Sequence, residues 1–160
     1  MQKLIIITGS PWTGKTTVAD LLLESLENCA HLDGDWVWRV NPFSVQDPRL
    51  RNGDKNISFV LSTYLQCNFD YVIFSSILGI FPHIREGILK GITAQNFNII
   101  GFTLTCSEQT LTERHKKRGD AGEVDFQWLR REPHPNDFII NTDNKTPSEI
   151  ADEIKHIVTE

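Results

Sequence analysis

Residues 9–17 read GSPWTGKTT, and Gly9, Gly14, Lys15 and Thr16 satisfy the spacing GxxxxGK[ST]. The stretch stands between an apolar run, Leu4-Ile5-Ile6-Ile7, and a segment of helical spacing, Val18, Leu21, Leu22 and Leu26. Strand, glycine loop and helix in that order are what a polyphosphate cradle requires. The glycines let backbone N–H groups turn inward, and the helix that follows adds its N-terminal dipole. Lys15 is expected to neutralise the β and γ phosphates of ATP, and Thr16 to place its hydroxyl on Mg²⁺. The nucleotide loop is therefore expected to comprise Gly9, Ser10, Pro11, Trp12, Thr13, Gly14, Lys15, Thr16 and Thr17. Trp12 occupies a position where smaller residues fit more easily, and no role beyond capping the loop is read from it.

Working outward, short and nearly continuous apolar runs recur at Leu4–Ile7, Tyr71–Phe74, Ile99–Leu104 and Phe138–Ile140, with "CAHL" at 29–32 a weaker fifth. Such runs suit strands covered on both faces of a parallel sheet. Between them, Ile57, Val60, Leu61 and Leu65 keep a helical period, as do Ile84, Ile88, Leu89 and Ile92, and then Ile150, Ile154 and Ile157. The alternation predicts an α/β fold: three layers, a five-stranded parallel sheet and helices on both faces. No repeat or linker divides residues 1–160, so one domain is expected.

Composition narrows the function classes. Hydrophobic residues are 39% and charged residues 23%, the balance of a soluble globular chain. No apolar run approaches the roughly 20 residues of a membrane helix, and the N-terminus lacks a signal-peptide pattern, so a cytoplasmic protein without membrane contact is expected. A net charge of −5 argues against nucleic acid as a partner. Cys29, Cys67 and Cys106 form no CxxC pair and read as free structural thiols. Neither His115 nor His134 has a second ligand at metal-binding spacing, and both are expected at the surface. The oligomeric state is open between monomer and homodimer.

In an open α/β sheet, ligands sit outside the carboxyl ends of the strands. If "CAHL" is the second strand, Asp33 and Asp35 emerge beside the phosphate loop, although either could equally cap a helix beginning near Trp36. With the loop, the carboxylates and the element order together, the chain resembles the small P-loop kinases that phosphorylate small molecules: shikimate kinase, gluconate kinase, chloramphenicol phosphotransferase and adenylate kinase. The resemblance implies that Asp33 serves Mg²⁺ through water with Thr16, and that Asp35 orients the acceptor hydroxyl. It also implies substrate contacts from Ser75 and Ser76, where related kinases sometimes carry an acid. Trp36 and Arg39 are candidates for the acceptor side, one of Trp36 and Trp38 packing inward.

Further on, "SEQTLTERHKKRG" at 107–119 predicts a helix from Ser107 to a stop at Gly119, with Arg114 and Arg118 on one face. By resemblance to adenylate kinase-like proteins, Arg114 stacks on adenine and Arg118 reaches the phosphates from a lid near 119–136. Arg130 and Arg131 lie beyond it. The reading is an ATP- and Mg²⁺-dependent phosphotransferase acting on a small-molecule hydroxyl. Two alternatives stand beside it: a nucleotide kinase using Arg39, Arg49, Arg51 or Arg85 for an acceptor phosphate, and an ATP-binding switch or sensor, suggested by the missing acid after the third strand.

Overall fold

The computed structural model describes all residues from Met1 to Glu160. Five strands, β1 (Gln2–Gly9), β2 (Cys29–Asp33), β3 (Tyr71–Ser75), β4 (Phe97–Thr105) and β5 (Asp137–Asn141), form one parallel sheet in the order β2-β3-β1-β4-β5. Helices α1 (Lys15–Ser25), α2 (Gly53–Gln66), α3 (Pro82–Lys90), α4 (Glu108–Arg118) and α5 (Pro147–Thr159) supply the crossovers. The weak strand at 29–32 is real and runs along one edge, paired with β3 from Cys29↔Tyr71 to Asp33↔Ser75.

The unbroken apolar run of β1 follows from its central place. Ile5 and Ile7 face one core with Val18 and Leu22 of α1 and Ile150 and Ile154 of α5. Leu4 and Ile6 face the other, with Ile57 and Leu61 of α2 and Ile88 of α3. All four β1 side chains are buried, each worth roughly 1.5–3 kcal/mol against exposure. A polar residue at any of them would break a core layer.

Local signals hold the helix ends. Ser107 accepts from the Thr110 amide at the start of α4, and Gly119, at φ 76°, ends it in the left-handed region. Thr146 and Glu149 form a reciprocal capping box before Pro147 opens α5. Strand β3 ends beside the end of β1, because Ser76 donates its amide to the Ile7 carbonyl at 3.1 Å. The carboxyl ends of β1, β2 and β3 thereby converge.

One expectation about burial is corrected. His115 is buried, not at the surface, because its ring packs edge-on against Trp12 with centroids 4.8 Å apart. No helix is long and apolar enough to cross a membrane.

Candidate active site

The loop between β1 and α1 is held by its own residues. Gly9 has φ 141°, and a Cβ there would lie 2.4 Å from the Leu104 carbonyl oxygen, so only glycine lets β1 leave the sheet beside β4. Thr13 Oγ1 and Lys15 Nζ both donate to the Ser10 carbonyl, at 2.8 and 2.9 Å. Gly14 opens α1 at φ 94° and brings no side-chain cap, leaving the first-turn N–H groups free for an anion.

Two carboxylates stand across from that helix terminus. Asp33 is the last residue of β2; its Oδ2 accepts from Thr16 Oγ1 at 2.8 Å and from Ser75 Oγ at 3.1 Å. Its Oδ1 accepts from the Asp35 amide at 3.0 Å, so it also caps a short 3-10 turn, Gly34–Val37. Capping and site chemistry thus coexist in one side chain. The turn needs Gly34, where a Cβ would come within 2.5 Å of Ser76 Oγ.

Burial pulls the Lys15 ammonium down to about 8, against the raising pull of Asp33 and Asp35. Burial, then the Asp33 charge, pushes the Asp35 carboxyl above its usual range, with Lys15 opposing. Together these groups line a cavity of about 420 Å³. Pro11, Trp12, Gly14, Lys15, Thr16 and Thr17 form its loop side; Asp33, Asp35, Ser75 and Ser76 form the strand-end side. Arg114 and Arg118 close it from α4.

Arg114 is fixed, donating to Thr142 Oγ1 and the Thr142 carbonyl at 2.9 Å each and to the Trp12 carbonyl at 3.4 Å. Arg118 is exposed and lies 3.4 Å from Asp120, which also accepts from Trp12 Nε1 at 2.6 Å. Trp12, left without a role by its sequence position, links the phosphate loop to the first residues of the 119–136 segment.

Other expected residues lie elsewhere. Thr13 is buried inside the loop, while Gly9 and Ser10 line a smaller cavity of about 170 Å³ with Trp128 and Arg131. Trp36, Trp38 and Arg39 line an open cleft adjoining the main cavity; Trp36 is exposed, while Trp38 turns inward against Gly53 and buries its indole nitrogen. Ser75 lines the phosphate cavity, and its hydroxyl is buried between Asp33 and His31 Nε2, 2.9 Å away. The hydroxyl proton goes to Asp33, so Nε2 of His31 is the donor to Ser75, and burial holds the imidazole below its ordinary range. His31 Nδ1 lies 3.2 Å from Asp20 Oδ1 without hydrogen-bond alignment. His31 was missed because a histidine inside a strand carries no motif; only its place two residues before Asp33 hints at it.

Three of the four arginines raised for an acceptor phosphate are occupied. Arg49 pairs with Asp47 and Arg51 with Asp54. Arg85 is buried against Asp137 at the start of β5, at 2.8–2.9 Å, with Thr103 donating to the same carboxylate. Of the four, Arg39 alone has no acidic partner.

A phosphate loop at β1, a threonine and an aspartate joined across it, and this strand order define a P-loop domain with the fold of the small P-loop kinases. The chain belongs to the AAA domain family, whose model matches residues 5–127. Among solved structures it is similar to the Mycobacterium tuberculosis APS kinase in complex with AMPPNP and APS, with 17% identity, TM-score 0.72 and coverage of 99% of this chain and 98% of that one. The Deinococcus radiodurans tunicamycin resistance protein gives 17% identity and TM-score 0.67, covering 99% and 96%. A Sinorhizobium meliloti gluconokinase gives 16% and 0.63, covering 95% and 88%. No curated protein matches the sequence.

Proposed function

We propose that this chain is a cytoplasmic ATP- and Mg²⁺-dependent phosphotransferase that moves the γ-phosphate to a hydroxyl of a small molecule. The observation that carries the proposal is the facing of Lys15 and the open N-terminus of α1 by Asp33 and Asp35 across one cavity. The solved kinases of this fold support it, the APS kinase through its AMPPNP complex.

The donor set fits Mg²⁺. Thr16 and Asp33 offer hard oxygens already 2.8 Å apart, and the protein has no cluster of three or more His, Cys, Asp or Glu that could hold a metal alone. Mg²⁺ is commonly held by one or two carboxylates plus substrate phosphates rather than by a protein cage. When bound by Thr16 and Asp33, it supplies neutralisation of phosphate charge.

The chain's own residues do the rest. The loop amides and Lys15 hold the β and γ phosphates, while Arg114 stays at the nucleotide end, tied to Thr142. Asp35 orients the acceptor hydroxyl in line with the γ-phosphorus. The new O–P bond forms as the bond from γ-phosphorus to the ADP oxygen breaks, and the hydroxyl proton passes to Asp35. Its raised proton affinity suits a late acceptance. Arg118, exposed at the end of α4, stabilises charge on the transferring group when residues 119–136 close as a lid.

The missing acid after β3 does not favour a switch or sensor, because Asp33, on the neighbouring strand, is already bonded to Thr16. For a nucleoside monophosphate acceptor, Arg49, Arg51 and Arg85 are engaged with carboxylates, which leaves Arg39 as the one of the four arginines open to an acceptor phosphate. The test is transfer of label from γ-labelled ATP to a panel of hydroxylated small molecules and nucleoside monophosphates. Label on an alcohol sustains the proposal; label only on monophosphates, or none, overturns it.

A further inference from the structure

The chain leaves ten large apolar side chains exposed, and four of them, Trp36, Val40, Phe43 and Val45, fall within residues 36–45. Trp36 is 55% exposed and Phe43 61%. Scattered exposed apolar residues need no explanation, but a concentration of them beside a site does. Here they flank an open cleft of about 790 Å³, lined by Trp36, Trp38, Val40 and Phe43 with Arg39 and Asn41. Asp35 completes the lining and is the one residue shared with the phosphate cavity. A molecule whose hydroxyl meets Asp35 therefore has this cleft as the continuation of its site.

The walls are supported from behind. The Trp36 ring packs against His31, with centroids 5.1 Å apart, and His31 is held by Ser75. Trp38 lies against the first residue of α2, where a Cβ on Gly53 would sit 3.4 Å from Trp38 Cε3. Beyond Asp35 the polar partners are few. Asn41 is the one neutral hydrogen-bonding side chain of the cleft apart from the Trp36 indole, the Trp38 nitrogen being buried, and Arg39 is its one cation, without an acidic partner. A polyol or simple sugar acid would leave most of its hydroxyls unmatched against aromatic and aliphatic walls.

The geometry points to an acceptor class: an alcohol with a flat aromatic or extended apolar body and an anionic group, the body on Trp36, Val40 and Phe43 and the anion toward Arg39. This rests on the phosphotransferase reading for the role of the hydroxyl at Asp35. The apolar cleft, its continuity with the phosphate cavity and its one free cation carry the rest.

The test has two arms. In the first, anilinonaphthalene sulfonate, an aromatic anion, is titrated into the folded protein and into Trp36→Ala, Phe43→Ser and Arg39→Gln, each checked for native circular dichroism. The control is Phe59→Ser, on the exposed side of α2 and outside the cleft. Each cleft variant is expected to bind the probe about tenfold more weakly, the order expected for loss of one buried aromatic face or one charged contact, with the control unchanged. Equal binding by all proteins, or equal loss in Phe59→Ser, overturns the inference. So does a dimer in gel filtration that the cleft variants split, since a second copy is then the occupant.

In the second arm, γ-labelled ATP is offered with matched pairs, glucuronate against naphthyl glucuronide and glycerol against phenoxypropanediol. The expected result is a kcat/KM about tenfold or more higher for the aryl member, with the preference erased by Trp36→Ala. Preference for the plain polyols, unaffected by Trp36→Ala, overturns the acceptor class while leaving the phosphotransferase reading standing. Transfer to neither member counts against the phosphotransferase reading alone, and the binding arm then decides the cleft.

Discussion

Replacing Ser75 with alanine removes one oxygen from the buried end of β3 and with it two contacts: donation to Asp33 Oδ2 at 3.1 Å and the 2.9 Å approach of His31 Nε2. A hydrogen bond to a charged carboxylate contributes about 1.5–3 kcal/mol and a neutral one about 1 kcal/mol, so the loss is expected to be about 2–4 kcal/mol. For a domain of this size that lowers Tm by about 5–15 °C. Urea and thermal unfolding read it directly. Adding His31→Phe, which keeps a ring against Trp36, removes the stranded imidazole, and the double variant is expected to lose about 1 kcal/mol less than the sum of the singles. The functional readout is separate. Asp33 loses a fixing donor while Thr16 remains, so the apparent affinity for Mg²⁺·ATP falls more than kcat. A Ser75→Ala protein with unchanged Tm, and additive singles, would refute the claim that Ser75 and His31 hold Asp33.

Three further outcomes are expected. Lys15 titrates near 8 in the fold against an ordinary 10.5, so ATP, which needs the ammonium, binds more weakly as pH rises through about 8, by up to about tenfold per pH unit. The unliganded protein is stabilised over the same rise, because the unfolded lysine still holds its proton; calorimetric titration across pH shows a flat affinity if this is wrong, and Lys15→Arg is expected to flatten it. Asp137→Asn strands the buried Arg85 guanidinium and is expected to cost about 3–5 kcal/mol by chemical denaturation, and a loss below about 1 kcal/mol would show the pair is not a buried structural tie. Trp12→Phe removes the bond to Asp120 and is expected to speed proteolysis within residues 119–136 with little change in global stability, whereas unchanged cleavage would show that the bond does not restrain the segment.

The parts of this molecule legible in its sequence are those where local pattern and tertiary environment demand the same residues. The β1 run is apolar at every position because cores lie on both faces, and Gly9 and Gly14 stand where the backbone needs positive φ. Ser107, Gly119 and the Thr146–Glu149 box mark helix ends by side-chain chemistry that acts within a few residues. What escaped depends on distant partners. His31 gains its place only when β2 pairs with β3 and brings Ser75 beside it, and Arg85 meets Asp137 across 52 positions of chain. Both then become buried polar ties, which single-residue patterns do not announce. Ser75 illustrates the same limit, since its position at a strand end was readable and the direction of its hydroxyl was not.

The most direct measurement is label transfer from γ-labelled ATP to small alcohols by the wild type, Lys15→Ala and Asp35→Asn, with ATP binding measured in parallel. The wild type is expected to yield a labelled alcohol, Lys15→Ala to bind ATP weakly and give no product, and Asp35→Asn to keep ATP binding without transfer. Full transfer by Asp35→Asn, or ATP bound by the wild type with no alcohol labelled, would contradict the proposed function.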